Sequence, residues 1–189
     1  MYPRSPCASV LIIVALVSLG GCTNEAEKFE QIELSQIYAT NGQKGLKELP
    51  ENKDWEAIRT KSTYGASNVF LLRGKDVDEA IKATRLIILA GGRGDSIEEE
   101  VQGQAWMVLS WGVGSSSPPK WTIHSVEKSE KSIRVHYREH KAFTDDIHHY
   151  YAWVPLGSLK PGKYTLEVWS HDTGEKMLQR LCKVLEKNQ

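Results

Sequence analysis

From residue 104 onward the chain sets apolar residues against polar ones in short runs separated by turn formers. This predicts strands over 104–111, 121–127, 132–139, 149–155, 163–170 and 177–185. In 132–139 the apolar set Ile133, Val135 and Tyr137 alternates with Arg134, His136 and Arg138, so one face is expected in a core and the other in water. Six strands at this spacing read as an antiparallel sandwich or barrel. Upstream the pattern differs. The compact run Ser67–Leu72 predicts a buried strand ending at Gly74. Asp76, three residues before Glu79, has capping-box spacing and opens a helix with Val77, Ala80, Ile81 and Thr84 on one face. Leu86–Leu89 fits either the end of that helix or a following strand. Between Leu34 and Gly65 scattered glycines and Pro50 predict irregular structure with a helical turn or two near Trp55–Ile58. Residues 23–33 are polar and acidic, the composition of a flexible spacer.

The N-terminal apolar run, Val10 to Leu19, is too short for a bilayer-spanning helix, which needs about 20 residues. It follows Arg4 and ends in small residues, as a secretory signal does. The tetrapeptide Leu19-Gly20-Gly21-Cys22 resembles the lipobox of bacterial lipoproteins. That resemblance implies cleavage before Cys22, acylation of its thiol with diacylglycerol and often acylation of the new amino group. Two or three acyl chains make a lasting anchor where one holds marginally. The resemblance also makes the cell envelope the expected location. Thr23, rather than Asp, after the cysteine points to the outer membrane if the organism is Gram-negative and applies that sorting rule.

Removing residues 1–21 from the 189 leaves 168, one domain plus a tether, with 23 basic and 24 acidic residues once Arg4 is gone. A near-neutral chain gives no concentrated basic face for nucleic acid. Cys7 leaves with the signal and Cys22 is taken by lipid, so Cys182 has no partner for an intramolecular disulfide. Leu178, Leu181, Val184 and Leu185 around it predict a buried, inert thiol.

The segment Leu159-Lys160-Pro161-Gly162-Lys163-Tyr164-Thr165-Leu166 resembles a turn of bacterial immunoglobulin-like domains. The resemblance implies a chain reversal at Pro-Gly and a buried tyrosine whose hydroxyl bonds to backbone. The expected fold is therefore α+β, mainly an antiparallel, immunoglobulin-like β-sandwich preceded by a small strand-helix segment. Its divisions are a signal peptide (1–21), a flexible tether (22–33), an α/β segment packed on the sandwich (34–103) and the sandwich itself (104–189).

Alternation places Trp111 and Trp153 in the core and sets both Trp106 and Trp169 on the face opposite to it, where indoles could stack on a glycan or a partner protein. Trp106 and Trp169 are thus the candidate binding face, expected to be at least partly exposed. His136, Asp145, Asp146, His148 and His149 are the candidate ligands for zinc or copper, although adjacent histidines in a strand point to opposite faces. No HExxH or CxxC spacing, nucleophile elbow or P-loop occurs, and Ala90–Asp95 reads as a glycine-rich turn. The function expected is a non-catalytic binding or structural module, without a cofactor, anchored through Cys22 to the membrane and meeting an envelope protein or glycan. The alternative is an envelope enzyme or a zinc- or copper-handling protein built on the 136–149 cluster.

Overall fold

The computed structural model describes residues 27–61, 67–89, 98–99, 104–114, 120–141 and 148–185. Cys22, Asp145 and Asp146 lie outside these residues, as do Ala90–Asp95. The described chain is mostly β, with two helices and two mixed sheets. In order come β1 (Glu30–Ile32), a 3₁₀ turn (Leu34–Gln36), β2 (Tyr38–Ala39), β3 (Lys47–Glu48), α1 (Lys53–Lys61), β4 (Asn68–Arg73) and α2 (Val77–Leu89). There follow β5 (Glu98–Glu99), β6 (Gln104–Gly114), β7 (Trp121–Lys128), β8 (Ser132–Glu139), β9 (His148–Ser158), β10 (Gly162–Ser170) and β11 (Lys176–Val184). The first sheet runs β1-β7-β8-β10-β11-β5 and the second β3-β2-β9-β6-β4.

The larger core joins the inward faces of both sheets. Val126, Ile133, Val135, Leu166 and Val168 of the first meet Val69, Met107, Leu109, Ala152 and Val154 of the second. Trp111 is buried there, as is Cys182, which forms no disulfide. A second core lies on the outer face of the second sheet, where Phe70, Leu72, Trp106, Val108, Tyr151 and Trp153 pack against Val77, Ala80 and Ile81 of α2 and Ile58 of α1. Sheet two is therefore buried on both faces, which explains the near-continuous apolar run of β6.

Several expectations need correcting. The sheets are not purely antiparallel, because β8 pairs parallel with β10, β2 with β3 and β5 with β11. The tether cannot reach residue 33, because Glu30, Gln31 and Ile32 already pair with Lys128, Glu127 and Val126 of β7. Nor does the 34–103 segment merely pack on the sandwich. It supplies β2, β3 and β4 to the second sheet and β5 to the first.

The capping box forms in a shifted version. Asp76 Oδ1 accepts the Glu79 N–H at 3.0 Å, and the Glu79 carboxylate reaches back to the Lys75 N–H at 2.9 Å. Leu86–Leu89 continues α2, with Ile87 and Ile88 against the second core and Leu86 and Leu89 exposed. Tyr164 is buried, and its hydroxyl donates to the Lys160 carbonyl at 3.1 Å, closing the Pro161-Gly162 turn. Among the described residues no helix is long and apolar enough to cross a membrane.

Candidate functional site

A cleft of about 790 Å³ opens where β2 and the β3–α1 connection face the start of β9. Its size falls within the range of small-ligand sites. Thr40 ties its floor together: its Oγ1 donates to the His149 carbonyl at 2.6 Å and accepts the Tyr151 N–H at 3.0 Å. Asn52 caps α1 by accepting the Asp54 N–H at 2.8 Å, which sets Trp55 on the first turn of the helix. The Trp55 indole meets Tyr151 and Trp153 edge-on, with ring centroids 5.4 and 5.9 Å away. α1 is pinned in turn to α2, by Arg85 Nη1 on Asp54 Oδ1 and by Asn52 Nδ2 on Asp78 Oδ1, both at 2.6 Å. The aromatic wall of the cleft is thus held from both sides.

Polar groups ring that wall. Glu48, Glu51, Glu56, Lys53 and Arg59 supply both signs of charge, and His148 and His149 close the β9 side. His148 bonds to the Thr40 carbonyl and lies edge-on to Tyr150. His149 falls on the alternate side of β9, with Tyr151 and Trp153. Burial, with help from His148 and Arg59, pushes its pKa below the ordinary histidine value, so the ring is neutral near pH 7. Its Nδ1 is shielded from solvent and has no hydrogen-bond partner among the described residues.

The tryptophans expected on one binding face separate. Trp106 is 7% exposed, so its expected exposure is corrected: α2 covers it, and its Nε1–H donates to the Gly74 carbonyl at 2.8 Å. Trp169 is half-buried on the outer face of the first sheet. Its Nε1–H donates to Glu167 at 3.1 Å, and Lys176 Nζ lies 5.5 Å from the ring centroid. Glu167 also accepts from Arg134 at 2.8 Å and from Lys176 at 3.1 Å. Burial disfavours its charge, yet these three donors hold its carboxyl below the usual glutamate range.

The histidines do not converge. His136 sits on the first sheet against Glu127 at 2.8 Å, whereas His148 and His149 belong to the second. Among the described residues no group of three or more His, Cys, Asp or Glu side chains is placed to hold a metal. Trp55, the central aromatic of the cleft, was legible in sequence only as part of a helical turn. Nothing local signals that the turn would be laid over β9.

Compared with known proteins, the chain matches no family model, no curated protein and no solved structure.

Proposed function

We propose that this protein is an exported lipoprotein, anchored to the envelope through acylated Cys22, whose folded domain is a non-catalytic module that binds a glycan in the Trp55 cleft. The observation that supports the binding assignment is the Trp55 indole lining a cleft of small-ligand size beside His148, His149 and charged side chains of both signs. An aromatic face stacks on the apolar face of a sugar ring, while neutral and charged polar groups at the rim take its hydroxyls. The outer membrane is the favoured site, from Thr23. The Pro161-Gly162 turn with its buried Tyr164 supports an immunoglobulin-like sandwich as the fold class, with the parallel β8–β10 pair as a departure from it.

Two measurements test this reading. Detergent-phase partitioning with mass spectrometry of the N-terminus is expected to find acylated Cys22, and Cys22→Ala is expected to leave the detergent phase. Calorimetric titration with soluble saccharide fragments of the envelope is expected to show binding that Trp55→Ala weakens about tenfold or more, as loss of a stacked ring would. Trp169→Ala should leave it unchanged. If Trp169→Ala abolishes binding and Trp55→Ala does not, the site lies on the outer face of the first sheet.

A further inference from the structure

We propose that the pole of the domain nearest Cys22 rests on an anionic phospholipid surface, which holds the Trp55 cleft at the opposite end, away from the bilayer. The inference rests on the Cys22 anchor proposed above. The chain joins the folded body early. Both Ser129 Oγ and Ser132 Oγ donate to the Glu27 carboxylate, the Phe29 ring lies 4.1 Å beneath the Arg134 guanidinium, and Glu30 pairs with Lys128. Four residues lie between Cys22 and Glu27, and even fully extended the five steps span no more than about 18 Å. A lipid on Cys22 therefore brings this pole within reach of the headgroups, and charge decides whether it rests on them.

Two shallow depressions at that pole share Glu130, Lys160 and Tyr164. Around them and the emerging chain lie Lys28, Lys128, Lys131, Lys160 and Lys163, against Glu27, Glu30 and Glu130. The whole chain is balanced at 24 basic and 24 acidic residues, so a local excess of lysine here is a departure from its average. Four of the five lysines are exposed; Lys128 is half-buried, its Nζ donating to the Leu156 carbonyl at 3.0 Å. Lys160 and Glu130 form an ion pair at 3.4 Å between two largely exposed side chains, and such pairs exchange partners at little cost. An anionic leaflet attracts each lysine near it by about fivefold in partition, an attraction that decays within a Debye length.

The strand β9 sets the geometry of the rest. It is 11 residues long, with Ser158 at the lysine pole and His148 and His149 at the cleft, a span of about 35 Å. Docking one end lifts the other clear of the lipid, where a ligand can reach it.

The test uses the acylated full-length protein in nanodiscs of phosphatidylcholine alone or with one third phosphatidylglycerol. Spin labels are placed at Ser158→Cys, at the lysine pole, or at Lys141→Cys, beyond the far end of β8. Relaxation by a nickel chelate on the headgroups should be strong for the label at 158 and weak for that at 141 in anionic discs. High salt, neutral discs or the combined Lys28→Glu, Lys160→Glu and Lys163→Glu variant should reduce that contrast by about threefold or more. Equal relaxation at both labels, or a contrast indifferent to lipid charge, with Cys22 acylated, overturns the orientation alone. An unacylated Cys22 overturns the anchor and the orientation together.

Discussion

Tyr164 makes two separable contributions. Its ring fills the inter-sheet core at 4% exposure, and its hydroxyl satisfies the Lys160 carbonyl in the turn. Tyr164→Phe removes only the hydrogen bond and should cost about 1 kcal/mol, whereas Tyr164→Ala also empties the ring site and should cost about 3–5 kcal/mol. Urea denaturation separates the two, and equal losses would mean that the hydroxyl carries the whole effect. Glu167 makes a prediction about pH. Its folded pKa lies below the unfolded value of about 4.5. The unfolded chain therefore takes up its proton first as the solution is acidified. The stability it contributes is complete above that value and is lost as pH falls through the folded one. Glu167→Gln should lower stability by about 1–3 kcal/mol at pH 7, since the carboxylate accepts charge-assisted bonds. The gap from wild type should narrow below about pH 4. Denaturation midpoints across pH 3–7 measure it, and a gap constant with pH would show that the charge is not what the donors need.

At the scale of the element, the β4–α2 corner is where local sequence and packing agree most closely. Gly74 accepts the Trp106 indole N–H at its carbonyl, and its Cα faces the start of α2 so closely that a Cβ there would sit 2.8 Å from the Ala80 backbone nitrogen. Backbone cannot give way as a side-chain tip can, so Gly74→Ala should displace the first turn of α2 and cost about 1–3 kcal/mol. Thermal unfolding together with tryptophan emission checks this. A neutral substitution would place the helix further from β4. The same corner shows why some elements were legible. Asp76 and Glu79 are a local signal, and the six C-terminal strands were readable because period-two patterning lies within each strand. Pairing was not readable, because which strand lies beside β10 is a property of the folded whole, and the parallel β8–β10 register leaves no local mark. β1 was missed because Glu30-Gln31-Ile32 has one apolar residue and pairs on one side only, with β7. Alternation correctly set Trp106 opposite Met107 and Leu109, but it tells sides apart without telling which side a helix will cover.

Over the whole molecule, the second sheet is shared between two cores, and this decides how the protein comes apart. Without α1 and α2, Phe70, Leu72, Trp106, Val108, Tyr151 and Trp153 would all face water. The Trp153 indole also donates to Thr84 Oγ1 at 3.0 Å, and that hydroxyl donates to the Ala80 carbonyl at 2.8 Å, so β9 and α2 share a buried polar chain as well as apolar area. The helical layer is therefore a structural part of the sheet and should not unfold on its own. Ile81 is fully buried at this seam. Ile81→Ala should cost about 2–5 kcal/mol, and it should do so within one cooperative transition. Far-UV circular dichroism follows the strands and helices together, while tryptophan emission includes Trp55, Trp106 and Trp153 at the seam between helices and sheet. The two should give the same urea midpoint in the variant, shifted equally from wild type. If tryptophan emission changes at lower urea than the dichroism, the helices leave first. The Trp55 cleft, whose aromatic wall rides on α1, would then be lost before the β-sheets unfold.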